Sequence, residues 1–249
     1  MTMKVAVFRP DDERLDEAVE LLESLDVNPV PDPMLAVRPT DETPHHADFV
    51  VLTSKTGVEL ADKNGWNPGD ATVCAIGERT AATLREYGYD VDIVPDEFSS
   101  RGLVAVLADR VDGKSVEVAR SDHGSDVLTD GLANAGADVH ETVLYELVRP
   151  KGAGRSAEIA ADGDLDAALF TSSLTVEHFL DAAEDRDIRD EVTDALDDVL
   201  VGAIGGPTND TAREHGVRVD VVPDTASFDR LAEEAVARLH DEPNGEAQV

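Results

Sequence analysis

Small hydroxyl residues recur in this chain where a β-branched run gives way to a helical pattern. Thr53-Ser54 follows Phe49 to Leu52, Thr171-Ser172-Ser173 follows Ala167 to Phe170, and Thr80 and Thr208 stand three residues after Gly77 and Gly205. In open parallel sheets, ligands bind beyond the carboxyl ends of the strands, where helix N-termini turn free N–H groups and partial positive charge outward. A hydroxyl at such a point suits a carboxylate or a phosphate; it also suits plain N-capping, for which Ser and Thr are preferred. Arg9 and Arg120 close two matching runs, Val5-Ala-Val-Phe-Arg9 and Val116-Glu-Val-Ala-Arg120. A guanidinium there either grips a carboxylate through its planar fork or pairs with one of the many nearby acids. Lys55, directly after Ser54, is a further anion contact, and the Tyr145 phenol either donates a hydrogen bond to a bound group or packs with its hydroxyl at the surface.

Other combinations fail on spacing. Gly113-Lys114-Ser115 resembles the end of a phosphate loop, but Ala108 stands where its first glycine belongs, and the glycines of 202–206 lack the dinucleotide spacing. Ser121-Asp122-His123 has triad residue types without a nucleophile elbow, and His45-His46 reads as a solvated turn. Cys74 is the single cysteine, which excludes internal disulfides and multi-cysteine metal centres. Metals are not expected.

The elements that must position these groups follow from periodicity. Lys4 to Phe8 is a β-branched run, followed by Leu15, Val19, Leu22 and Leu25 at helical spacing. The alternation recurs at Phe49–Leu52, Val73–Ile76, Val91–Val94, Val116–Ala119, Ala167–Phe170, Val199–Ile204 and Val219–Val222. Repeated β-α units predict parallel sheets covered by helices on both faces. The chain is also internally duplicated. Asp48-Phe-Val-Val-Leu-Thr-Ser54 matches Asp166-Ala-Ala-Leu-Phe-Thr-Ser172, and Val73-Cys-Ala-Ile-Gly77 matches Val201-Gly-Ala-Ile-Gly205. That second register runs without a gap to Val94-Pro-Asp96 and Val222-Pro-Asp224. Two similar α/β lobes follow, with Met34 to Pro39 and Val143 to Pro150, which both end in Val-Arg-Pro, as extended connectors. The stretch from Asp241 reads as a frayed tail.

Acidic residues number 54 against 21 basic ones, a formal net charge of −33. That balance excludes nucleic-acid binding through a basic face. The acids are spread between apolar residues, and 41% of the chain is apolar, so the acidity reads as a salt-adapted surface on a folded core rather than as disorder. The apolar runs are too short to span a membrane, and the N-terminus lacks a signal-peptide core. A soluble, cytoplasmic protein is expected.

Taken in order, four elements resemble the uroporphyrinogen-III synthase family: Val50-Val-Leu-Thr-Ser-Lys-Thr-Gly-Val58, Ile76 to Thr80, Val143-Leu-Tyr145, and Ile204-Gly-Gly-Pro-Thr208 with Ala212-Arg213 and Gly216. The resemblance implies two flavodoxin-like α/β lobes with parallel sheets, joined by a two-stranded connector, and a ligand cleft between them. The implied lobes are residues 1–33 with 151–249, and residues 40–142, with 34–39 and 143–150 as connectors. The implied reaction dehydrates hydroxymethylbilane, a linear tetrapyrrole, and closes the ring with inversion of ring D, through a spiro intermediate and with no cofactor. Tyr145 becomes the candidate acid or the group that positions the leaving water. Arg9, Ser54, Lys55, Thr80, Arg120, Ser172 and Thr208 become substrate contacts. A monomer served by hydroxymethylbilane synthase upstream is implied. Two other readings fit duplicated α/β lobes: a non-catalytic small-molecule binding or sensor module, and a flavin or nucleotide enzyme, the latter disfavoured by the missing phosphate loop.

Overall fold

The computed structural model describes residues 2–241, so the tail expected beyond Asp241 lies outside the described residues. In chain order the elements begin with β1 (Lys4–Phe8), α1 (Glu13–Ser24), β2 (Asn28–Pro31), β3 (Ala36–Pro39), β4 (Phe49–Leu52), α2 (Lys55–Lys63) and β5 (Thr72–Ala75). They continue with α3 (Glu78–Glu86), α4 (Ser100–Leu107), β6 (Ser115–Ser121), α5 (Asp126–Asn134) and β7 (Asp138–Val148). The last group is α6 (Arg155–Ala161), β8 (Ala167–Phe170), α7 (Ser173–Glu184), α8 (Arg189–Ala195), β9 (Leu200–Ala203), α9 (Gly206–Glu214) and α10 (Phe228–Asp241).

The chain divides into two compact units. Unit 1 takes the described residues up to Ala36 and those from Val148 onward; unit 2 is Val37–Leu147. Unit 1 holds a four-stranded sheet in the order β2-β1-β8-β9, parallel throughout. Its central strands are buried on both faces, which is why they read as continuous β-branched and apolar runs. Ala6, Phe8, Ala168 and Phe170 face α6, α7 and α9. Val5, Val7, Ala167 and Leu169 face α1 and α10. The register sets Phe8 beside Phe170, with rings stacked 4.6 Å apart and Phe179 of α7 against both.

Unit 2 holds a five-stranded sheet in the order β3-β7-β6-β4-β5, parallel from β7 to β5. Val50, Leu52, Ala75 and Ala119 face α2 and α3. Val51, Cys74, Val116 and Val118 face α4 and α5.

The duplication persists at the level of single bonds. Asp48 accepts the Ser115 backbone N–H at 2.9 Å, and its counterpart Asp166 accepts that of Lys4 at 2.7 Å. Asp92 accepts from Val73 at 2.8 Å, and Asp220 from Val201 at 3.0 Å. At Asp48 the bonds from the Ser115 backbone N–H and then its hydroxyl hold the carboxyl below its ordinary value.

Two stretches expected as strands are not strands. Val91–Val94 and Val219–Val222 form no strand; each touches the sheet through one isolated bridge, Cys74 to Ile93 and Gly202 to Val221. The Pro that follows each run, Pro95 or Pro223, lacks a ladder donor, so neither run continues as an edge strand. The Asn28-Pro-Val-Pro31 stretch, whose prolines argue against a strand, is edge strand β2, where only one side needs hydrogen bonds. The segments read as connectors are themselves sheet: β3 pairs with β7, and β7 runs unbroken over 11 residues.

Candidate active site

In unit 2, the carboxyl end of β4 delivers Ser54 as the N-cap of α2. Its extended backbone lets Oγ accept the Gly57 N–H at 2.9 Å. The Tyr145 phenol donates to the same oxygen at 3.0 Å. With both lone pairs engaged, the Ser54 hydroxyl can act outward only as a donor. Gly57 makes room for this arrangement, since a Cβ there would stand 3.0 Å from Ser54 Oγ. Tyr145 comes from β7 at the point where the β6–β7 register shifts, so that Tyr145 lies opposite Ser121. Its ring is buried in the core cluster beneath α2 and α3, which leaves only the phenol end for chemistry.

Lys55 opens α2, half exposed, and pairs with Glu59 one turn on at 3.4 Å, a surface contact of little energetic weight. Thr80 is buried in the first turn of α3. The N-cap of that helix, Gly77, supplies no side-chain hydrogen bond, so the first N–H groups are not closed off by a cap. Arg120 is enclosed at 4% exposure. It donates to the Ser125 carbonyl and to Glu141, each at 2.6 Å, and its Nε has no hydrogen-bond partner among the described residues.

In unit 1, Ser172 caps α7 through a reciprocal capping box with Thr175. Thr171 donates to the Phe8 carbonyl at 2.6 Å and so ties the ends of β8 and β1 together. Thr208 is buried in the first turn of α9, whose N-cap Gly205 is extended like Gly77 and likewise offers no side-chain bond. Pro207 fits in that turn because its missing N–H would have had no intrahelical partner there. Arg9 leaves the end of β1 half-buried, with its guanidinium carbon 5.0 Å from the centroid of the Phe228 ring. Burial, then the neighbouring Arg14, lowers its pKa from the ordinary arginine value.

Among the described residues, one direct bond joins two of the eight sequence-derived site residues, Tyr145 to Ser54. Ser54 and Ser172 are N-caps, as the capping reading expects, and Arg120 is engaged by an ion pair. Sequence reasoning did not find two supporting groups. Glu141 holds Arg120, and Asp32, buried at 4%, accepts from the Gly154 and Ser156 backbones and the Ser156 hydroxyl at the start of α6. A lone acid between Pro31 and Pro33, beside an apolar run, is the one signal that marks Asp32.

Duplicated parallel-sheet α/β units with hydroxyl- and glycine-started helices at the strand ends define the class. The same fold appears in a mutant uroporphyrinogen III synthase from Thermus thermophilus, with a TM-score of 0.68 over 97% of this chain and 100% of that one at 21% identity. It appears again in the uroporphyrinogen-III synthetase of Helicobacter pylori, with a TM-score of 0.63 over 96% and 100% at 17% identity. In sequence, residues 16–233 match the family described as HEM4, uroporphyrinogen-III synthase HemD. A putative uroporphyrinogen-III synthase of Methanothermobacter thermautotrophicus is 34% identical over 230 residues, 86% of this chain and 90% of the relative. The uroporphyrinogen-III synthase of Synechococcus elongatus is 28% identical over 192 residues, 74% and 72% of the two chains. The chain belongs to the uroporphyrinogen-III synthase family.

Proposed function

We infer that this chain acts as a uroporphyrinogen-III synthase: it takes hydroxymethylbilane, removes water and closes the macrocycle with ring D inverted. The observation that carries this reading is the family match over residues 16–233, which includes both copies of the duplicated helix start and Tyr145.

The uncatalysed azafulvene closes at the unsubstituted carbon of ring D and gives the symmetric isomer I. The protein must direct attack from the substituted carbon, through a spiro intermediate. Its main contribution is therefore to hold the curled chain in one near-attack geometry. Departure of hydroxide is helped by a donor near the terminal hydroxymethyl group. Tyr145 fills that role, as acid or as the group that positions the leaving water, once substrate draws its proton away from Ser54 Oγ; until then the bond to Ser54 holds the phenol in place. The substrate's eight carboxylates meet the first-turn N–H groups of α3 and α9 beside Thr80 and Thr208, because no cap side chain competes there. Ser54 and Ser172 offer contacts at the other two helix starts, with Lys55 at the mouth of α2. Arg9 binds as an open guanidinium; Arg120 does so only if it releases Glu141. The reaction needs no metal or cofactor, and the protein works as a cytoplasmic monomer supplied by hydroxymethylbilane synthase.

The same reading makes the surface salt-adapted. At a net charge of −33 the chain repels both itself and its polyanionic substrate in dilute buffer, whereas at about 1 M salt the Debye length falls to roughly 3 Å. The melting temperature should rise by several degrees or more between dilute buffer and molar KCl; an unchanged value removes salt adaptation.

The test of function is a coupled assay in molar KCl. Hydroxymethylbilane is generated in place, products are oxidised, and the two uroporphyrin isomers are separated by chromatography. Predominant isomer III that depends on this protein supports the synthase; isomer I alone from folded protein overturns it in favour of a binding module.

A further inference from the structure

Glu117 is out of place by the rules that build the rest of unit 2. It sits in the middle of β6, between Val116 and Val118, with no exposed surface. One carboxylate oxygen lies 2.7 Å from Nδ1 of His140, its register partner on β7. The other is buried and has no hydrogen-bond partner among the described residues. A buried, unsatisfied carboxylate oxygen costs at least the roughly 1–3 kcal/mol of desolvation that a neutral group would cost. Against His140 stacks His45, with ring centroids 4.3 Å apart, carried in by the segment between β3 and β4. One ligand atom from each of His45, Glu117 and His140 lies within 4.8 Å of the others.

We propose that His45, Glu117 and His140 form a binding site for a divalent transition-metal ion of the zinc class, separate from the synthase chemistry. Two imidazole nitrogens and one carboxylate oxygen are a borderline donor set that suits Zn²⁺, Co²⁺ or Ni²⁺ and fits poorly with the all-oxygen preference of Mg²⁺ and Ca²⁺. Donors on a tetrahedral zinc are about 3.3 Å apart, given bonds of about 2.0–2.1 Å, so closure needs movements of about an ångström. His45 can supply them, since it is exposed and belongs to no helix or strand. The ion would engage the orphan oxygen of Glu117, with water in the fourth position. It would also pin the segment before β4 onto β6 and β7. The net charge of −33 favours any cation, so the distinguishing property is a single site that discriminates against Mg²⁺.

The experiment is titration of the full chain with Co²⁺ in molar KCl containing a large excess of Mg²⁺, followed by visible ligand-field absorption, with Zn²⁺ as displacing ion. The expected result is one Co²⁺ per chain, displaced by Zn²⁺. His45→Ala should weaken it at least about 100-fold, the upper end of the loss caused by removing even an outer-shell partner. His46→Ala, which changes the exposed neighbour outside the trio, should leave it intact. Glu117→Gln should abolish it; if that variant misfolds, His45→Ala decides alone. No saturable Co²⁺ spectrum, or one that His45→Ala leaves unchanged, overturns the site.

Discussion

Unit 1 and unit 2 run the same strand order, β2-β1-β8-β9 and β7-β6-β4-β5, yet they finish their equivalent helix starts differently. Ser172 closes its helix locally, with a capping box to Thr175. Ser54 caps its helix too, but it also receives a phenol from a strand 91 residues away in sequence. The arginines diverge in the same way: Arg9 stays half-buried over an aromatic face, whereas Arg120 is swallowed and paired with Glu141. Duplication thus preserved the sheet and the helix positions, while individual polar groups at the strand ends took on separate work. Steric detail follows the same division. Unit 2 carries Cys74 where unit 1 has Gly202, and a Cβ at Gly202 would fall 2.8 Å from Leu231 of α10.

The largest difference between the units should come from their arginines. Arg120→Ala removes two hydrogen bonds donated by a charged, buried group and should cost about 2–3 kcal/mol of unfolding free energy. Arg9→Ala removes a cation–π contact and should cost about 1 kcal/mol or less. Denaturant titration of both variants that gave equal losses would erase the distinction drawn between the two sites. Next is Tyr145→Phe, which keeps the ring in its core and leaves the Ser54 cap intact. Turnover should fall about tenfold or more, with little change in stability, because a positioned proton donor typically contributes at least that much. Wild-type rates would take Tyr145 out of the chemistry. The alkaline limb offers a smaller effect that reports on unit 2 alone. Burial pushes the Cys74 thiol up to about 12 from 9.0, so the folded protein keeps a proton that the unfolded chain releases. Stability should therefore decline as pH rises above about 9, and alkylation at pH 9 should proceed only on unfolding. Rapid labelling of native protein would contradict that burial. Smallest in stability is Gly205→Asp, where space exists for a side chain, the nearest atom to an added Cβ being 3.9 Å away. A new cap should stabilise α9 by a few tenths of a kcal/mol while weakening the KM for the anionic substrate. A KM that stays at the wild-type value would argue that the start of α9 does not meet carboxylates.

Much of this comparison was legible in the sequence. Continuous apolar runs bounded by Thr-Ser or Ile-Gly marked the central strands, because burial on both faces leaves no room for alternation. The Thr-Ser and Gly helix starts were visible for the same reason that they are structural, as short polar residues at a fixed place after a strand. What stayed hidden depends on register between distant segments. Nothing near Tyr145 in sequence points to Ser54, and nothing near His45 points to His140. Both pairs are made by the order β3-β7-β6-β4, which brings residues some 90 positions apart together. The edge strand Asn28–Pro31 carries no strand signal in sequence, since its two prolines supply no ladder donors, yet an edge tolerates them.

Unit 1 is split in sequence, and this fixes when it can be finished during synthesis. β1 emerges from the ribosome well before its central neighbour β8, which lies 162 residues further on, where Asp166 meets Lys4. At about 5–20 residues per second, that is a delay of about 8–30 s. Throughout it β1 presents an apolar strand with one edge unpaired, while all of unit 2 is translated and free to close. Nascent unit 1, rather than unit 2, is therefore the stretch that chaperones have to shield.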